Sequence, residues 1–87
     1  MTLLRRLDLL TRLTPRQREI AALVVEGYTN AEIAQRLGVT EQSIKERLRR
    51  SYRAVGISLY AGNPRIVLTR LVLGLDVDPL FVDGGAE

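Results

Sequence analysis

Apolar and polar residues repeat along this chain with a helical period, and punctuation residues cut the pattern into segments. In residues 2–11, Leu3, Leu4, Leu7 and Leu10 recur at helical spacing with Arg5, Arg6 and Asp8 between them. That stripe is expected to pack on the domain or on a second chain, since so short a helix does not hold alone in water. The second helix has a defined start. Thr14 suits an N-cap, Pro15 the first helical position, and Gln17 stands where a capping box needs it. Leu13 precedes the cap and can staple onto the first turn. Ile20, Leu23 and Val24 form an inward stripe, and Gly27 sits where a left-handed C-cap belongs. In the third, short helix Thr29 and Glu32 repeat the capping-box pattern, Ile33, Ala34 and Leu37 face inward, and Gly38 ends it. Only Val39 then intervenes before Thr40, the N-cap of a helix over about 41–55 that stops at Gly56. Ile44, Leu48, Tyr52 and Val55 make its buried stripe. Two helices joined by so tight a glycine-containing turn form a helix-turn-helix unit.

Residues 58–63 read as a loop. Asn63-Pro64 is an N-cap followed by proline at the first helical position, which starts a last helix over about 64–73, ending near Gly74. Its β-branched content leaves a strand as the alternative. In 66–75 only Thr69 and Arg70 are polar, whereas a helix on a single core buries one stripe and shows water the rest. Two buried faces are expected, one on its own domain and one on a symmetry mate or on helix 2–11. The residues expected at a dimer contact are Ile66, Val67, Leu71, Val72 and Leu75; an intramolecular clamp is the alternative.

Charge sharpens this picture. The chain holds 13 Lys and Arg against 10 Asp and Glu. All the bases and six of the acids lie in residues 1–75, which carry +7; the other four acids, Asp76, Asp78, Asp83 and Glu87, give 76–87 a charge of −4. A basic body points to a polyanionic partner. The chain has no cysteine and no histidine, which excludes a disulfide frame, a thiolate metal site and any nucleophile–histidine hydrolase site. We therefore expect no enzyme, no metal and no cofactor. Apolar runs fall far short of the roughly 20 residues a spanning helix needs, and the start lacks signal-peptide character. A cytoplasmic, nucleoid-associated protein with no membrane partner is expected. At this size oligomerisation is a common remedy for a small core.

The face of helix 41–55 opposite its buried stripe shows Gln42, Lys45, Glu46, Arg49 and Arg53, with Arg47 and Arg50 on the flanks. Residues 40–56 hold five bases and two acids. A helix of this width fits the major groove of duplex DNA, its N-terminal part reaching base edges first. Gln42 can pair with adenine, Lys45 and Arg49 can reach guanine, and Glu46 lies among them, so these four are the expected base readers. Thr29, Thr40, Ser43, Arg50 and Arg53 are placed for phosphates. The plainer alternative is a solvated face, for Glu41–Lys45 and Glu46–Arg50 are spaced as ordinary intrahelical ion pairs. The preceding short helix and tight turn favour the DNA reading. Tyr28, Tyr52, Tyr60 and Phe81 are too scattered for a base-stacking RNA platform.

Five stretches carry a family likeness: Leu13-Thr14-Pro15-Arg16-Gln17-Arg18-Glu19-Ile20, then Glu26-Gly27-Tyr28-Thr29-Asn30-Ala31-Glu32-Ile33-Ala34, then Leu37-Gly38-Val39-Thr40 followed by Ser43-Ile44-Lys45 and Val55-Gly56-Ile57. Together they resemble the DNA-binding domain of LuxR/FixJ/GerE-type transcription regulators. That resemblance implies a four-helix domain whose third helix, here 41–55, reads the major groove, and a final helix that makes a dimer contact. The chain departs from the pattern at Arg47, where histidine is frequent, at Gln17, where glutamate is usual, and in the longer connection 58–63. Ser43-Ile44-Lys45-Glu46-Arg47-Leu48-Arg49-Arg50-Ser51 also resembles region 4 of sigma factors.

The expectation is thus an all-α, four-helix helix-turn-helix domain of LuxR/GerE type with an extra N-terminal helix. It occupies residues 1–75 with a matched core at 13–57, and an acidic tail covers 76–87. Twelve residues before the core do not hold a receiver or ligand-binding domain, so the expectation, for a complete chain, is a resemblance to stand-alone members. The expected function is sequence-specific double-stranded DNA binding as a homodimeric transcription regulator. The alternative is a sigma-region-4-like module acting through RNA polymerase or another transcription protein. The tail is read either as an end whose Leu80 and Phe81 pack back, or as an acidic-hydrophobic segment that binds a protein or competes with DNA.

Overall fold

A computed structural model describes residues 3–58 and 62–82. Residue 2 of the first expected helix, residues 59–61 of the expected loop with Tyr60, and the tail end 83–87 with Asp83 and Glu87 lie outside the described residues. Five helices follow in order: α1 Leu3–Thr11, α2 Pro15–Val25, α3 Asn30–Leu37, α4 Glu41–Ala54 and α5 Pro64–Leu73. A short 3-10 turn, Pro79–Phe81, closes the described chain.

Local chemistry sets the boundaries. Thr14 and Thr29 each complete a capping box, satisfying two backbone N–H groups that a helix start leaves open. In the first, the Thr14 N–H donates to Gln17 Oε1 (2.8 Å) and the Gln17 N–H to Thr14 Oγ1 (3.2 Å). The Thr40 hydroxyl caps α4 by accepting the Ser43 N–H at 3.1 Å. Gly38 ends α3 at φ 68°, a left-handed conformation in which any side chain is strained. The segment 64–73 is a helix, not a strand: the Asn63 side chain accepts the Ile66 N–H, Pro64 presets the first φ, and Gly74 closes in the left-handed region. These end signals outweigh β-branched content.

Helix α2 is the hub, packing on α3, α4 and α5. Its Ile20, Ala21 and Val24 meet Ile33 and Ala34 of α3, Ile44 and Leu48 of α4, and Val67, Leu68 and Leu71 of α5 in one core. Each fully buried aliphatic side chain there stabilises the fold by about 1.5–3 kcal/mol. The expected inward stripes of α2, α3 and α4 are buried or half-buried as a set.

In three places the single chain buries other residues than the apolar stripes alone suggest, or fewer of them. In α1 the buried residue is Leu9, joined by Leu13 just beyond the helix, whereas Leu3, Leu4 and Leu7 are exposed and Leu10 is half-buried. The apolar docking of α1 is confined to its C-terminal half, because the short link to α2 holds that end against the core. In α5 one face is buried, against α2; Ile66, Leu73 and Leu75 remain exposed in the single chain. In the tail, Val77 and Val82 are the buried residues, Phe81 is half-buried and Leu80 is 76% exposed. The reason is a local strap. Ile57 and Val82 form an antiparallel bridge, and the Ser58 N–H donates to the Phe81 carbonyl at 2.7 Å. Arg70 Nε also donates to the Asp76 carbonyl at 2.7 Å.

Candidate nucleic-acid interface

The tight turn from Gly38 to Thr40 sets α4 across α3, and the buried stripe Ile44, Leu48 and Ser51 fixes its rotation. The Ser51 hydroxyl donates to the Arg47 carbonyl at 2.9 Å, so a buried polar group on that stripe is satisfied. With those residues inward, Gln42, Lys45, Glu46, Arg49, Arg50 and Arg53 are all exposed. At helical spacing Gln42, Lys45, Glu46, Arg49 and Arg53 share one face. Ser43 is half-buried and its hydroxyl oxygen accepts from Arg47 Nε at 3.3 Å, which turns the Arg47 guanidinium along the helix flank.

The intrahelical ion pairs Glu41–Lys45 and Glu46–Arg50, whose spacing supported the alternative of a solvated face, are not formed. Among the described residues the ion pairs are Arg5–Asp8, Arg12–Asp8 and Arg16–Glu19, all on α1, α2 and the link between them. Among the described residues, no carboxylate forms an ion pair with a cationic side chain of α4.

Thr29 and Thr40, expected at phosphates, both stand exposed at helix starts. Each hydroxyl oxygen accepts a cap N–H, from Glu32 at 3.2 Å and from Ser43 at 3.1 Å, which leaves the O–H free to donate outward. The Thr29 cap also acts on its partner. The Thr29 backbone N–H donates to Glu32 Oε1 at 2.9 Å, and this bond, more than the Thr29 hydroxyl contact or the charge of Arg36, holds the Glu32 carboxyl below its ordinary pKa.

A cleft of about 390 Å³ opens beside the exposed face of α4, lined by Asn30, Lys45, Leu48, Arg49, Tyr52 and Pro64. It brings the start of α3, the middle of α4 and the start of α5 together. Tyr52 borders it half-buried; burial raises its phenol pKa, against the lowering effect of the Arg65 charge. Two arginines that no sequence pattern singled out belong to this region. Arg65 donates to the Tyr28 carbonyl and, at 2.5 Å, to Asn30 Oδ1. Arg36 lies over the Tyr28 ring at 4.5 Å and donates to its hydroxyl at 2.8 Å. Periodicity carries no sign of either, because the partners sit on different elements.

The residues expected at a dimer contact divide. Val67 and Leu71 are buried against α2, Val72 is half-buried, and Ile66 and Leu75 are exposed. Two of the five are thus consumed by the chain's own core. No helix among the described residues is long and apolar enough to cross a membrane.

The family described as Sigma-70, region 4 matches residues 4–55, from α1 to the end of α4. The chain is 39% identical over 51 residues to a protein of Hyphomicrobium methylovorum named probable transcriptional regulatory protein SgaR, covering 59% of this chain and 24% of that one. It is 39% identical over 56 residues to the transcriptional regulatory protein MctR of Rhizobium johnstonii, covering 64% of this chain and 26% of that one. The chain thus spans about a quarter of the length of these curated relatives. No solved structure matches it significantly.

Proposed function

We propose that this chain, which belongs to the sigma-70 region 4 family, is a sequence-specific double-stranded DNA-binding transcription regulator that lays α4 in the major groove. The observation that carries this reading is the state of α4: its bases are exposed along one face and unpaired by the acids spaced to pair with them. An unneutralised basic face on a helix presented by a helix-turn-helix is suited to a polyanion groove. Gln42, Lys45, Glu46 and Arg49 read bases; Thr29, Thr40, Ser43, Arg50 and Arg53 hold phosphates. The names of the two relatives, both transcriptional regulatory proteins, support the same role.

The finer reading is a homodimer of LuxR/GerE type. The exposed apolar residues Ile66, Leu73 and Leu75 of α5 and its end, with Leu3, Leu4 and Leu7 of α1, form the surface a second copy covers. A two-fold dimer then places two α4 helices on half-sites about one DNA turn apart.

A second reading is favoured by the extent of the family match, which takes in α1 with its exposed leucines. In it the chain acts as a sigma-region-4-like module through RNA polymerase or another transcription protein. Selection of bound duplexes from a random pool tests both. Enrichment of a defined site supports α4 as a reader, and a palindromic site supports the dimer. No enrichment, with co-purification of polymerase, favours the second reading.

A further inference from the structure

We infer that Arg65, which lies outside the stretch matched to the family, is a positioning residue for DNA reading: it sets the phosphate-holding start of α3 against the base-reading face of α4. The inference rests on the proposed DNA function and goes beyond it to the C-terminal helix.

The geometry is a three-way junction. Arg65 is the second residue of α5, and its guanidinium donates to the Tyr28 carbonyl and to Asn30 Oδ1. These two partners flank Thr29, the N-cap of α3 and an expected phosphate holder. Arg65 therefore grips the chain on both sides of that cap. The residue before it, Pro64, lines the same cleft as Lys45 and Arg49, two of the expected base readers. The first turn of α5 thus bonds the two residues beside the phosphate anchor through Arg65 and shares a cleft with the readers through Pro64. Over its middle turns α5 is seated on α2 by Val67, Leu68 and Leu71, so the grip comes from a fixed base.

The bonds suit a positioning role. The planar fork of arginine serves two acceptors at once in a fixed geometry, which a lysine ammonium on its flexible stem does not reproduce. The Tyr28 side chain is held in turn by Arg36, stacked on its ring and bonded to its hydroxyl. The α2–α3 turn is therefore clasped between one arginine from the end of α3 and one from α5. The hydrophobic contact of α3 with α4 through Ile33, Ala34, Ile44 and Leu48 holds the two helices together without Arg65. What Arg65 adds is register between anchor and readers, and a misplacement there acts on discrimination before it acts on folding.

The test uses the full chain with Arg65→Met, which keeps an apolar stem and removes the donors, and Arg65→Lys, which keeps the charge. Binding is measured to the duplex enriched from the random pool and to a scrambled duplex of equal length, across a salt series. Amide exchange of Glu32 and Ile33 is followed in the free protein. Arg65→Met is expected to weaken the enriched duplex about tenfold and the scrambled one less than twofold, with the salt slope unchanged. Arg65→Lys is expected to behave like Arg65→Met, and both to speed exchange at Glu32 and Ile33. Equal losses on both duplexes with a shallower slope would make Arg65 a phosphate contact and overturn the inference. So would full rescue by lysine, or wild-type affinity in Arg65→Met. If the wild-type chain enriches no duplex at all, the DNA reading itself fails and takes this inference with it.

Discussion

Replacing Arg49 with alanine separates base reading from charge attraction. Arg49 is exposed at the rim of the cleft and has no carboxylate partner among the described residues. Its loss should therefore leave the fold within about 0.5 kcal/mol of wild type, the usual range for a surface change away from special contacts. On a selected duplex the same change removes a bidentate bond to guanine worth roughly 1–3 kcal/mol, which weakens binding about 5- to 150-fold. If two copies read two half-sites, each bound duplex is deprived of that bond twice, and the penalty roughly doubles. The size of the effect thus reports the number of α4 helices on the DNA. On a scrambled duplex Arg49→Ala should cost far less. Arg53→Ala supplies the contrast: further along the helix, it should weaken both duplexes alike and flatten the plot of log K against log salt by about 0.9 for each phosphate it no longer neutralises. Fluorescence anisotropy titrations with both duplexes at three or more salt concentrations give all these quantities. Equal weakening of both duplexes by Arg49→Ala, or none on the selected one, would refute α4 as the reader in this register.

Four further outcomes are expected. The Glu32 carboxyl has a lowered pKa in the folded chain, so its contribution to stability is present above the ordinary carboxylate range and is lost as pH falls through the lowered value; the difference in Tm between wild type and Glu32→Gln should shrink from pH 7 towards pH 3, and a constant difference would contradict this. Leu68→Ala, at a fully buried site of α5, should cost about 2–5 kcal/mol in urea unfolding, and a loss under about 1 kcal/mol would show that α5 is not part of the core. Leu73→Glu should shift a dimer to monomer in sedimentation equilibrium without lowering Tm, since Leu73 is exposed in the single chain; an unchanged mass would remove this surface from the dimer proposal. Ending the chain at Val82 removes two acids of the tail but keeps the buried Val77 and Val82; DNA affinity at fixed salt should change less than twofold, and a larger rise would show that the tail acids compete with DNA.

The helix ends were legible because their causes are local. Thr14 with Gln17, Thr29 with Glu32, Thr40, and Asn63-Pro64 each meet their cap partners within three residues, and all four caps are formed. In α4 one dominant stripe settled the rotation: once Ile44 and Leu48 go inward, the outward side of Gln42, Lys45, Glu46 and Arg49 follows from the 3.6-residue period alone. Whether the acids of that helix pair with its bases was less legible, because spacing permits a Glu–Lys contact without making it worth the side-chain entropy at an exposed site.

Elsewhere the chain offered more than one apolar face, and period could not choose between them. Helix α1 carries Leu3, Leu4, Leu7 and Leu10 as its denser stripe, yet Leu9 is the residue that reaches the core, because the link through Leu13 decides which end and side of α1 meets the other helices. Helix α5 is apolar nearly all round, and α2 buries Val67, Leu68 and Leu71 while leaving Ile66, Leu73 and Leu75 outside. The Arg6 side chain reaches the Val72 carbonyl and lies where a Cβ at Gly74 would meet it at 2.7 Å, a close approach that joins residues far apart in the chain. The strap of 76–82 across Ile57 and Ser58, and the grip of Arg65 on Tyr28 and Asn30, are likewise meetings of distant segments. The amino-acid order alone therefore determined the elements, their ends and the outward face of α4, all of which follow from interactions within a helical turn or two. Only the tertiary structure decided which leucines are core, where the tail docks and how α5 meets the reading face, since those depend on where helices come to rest against one another.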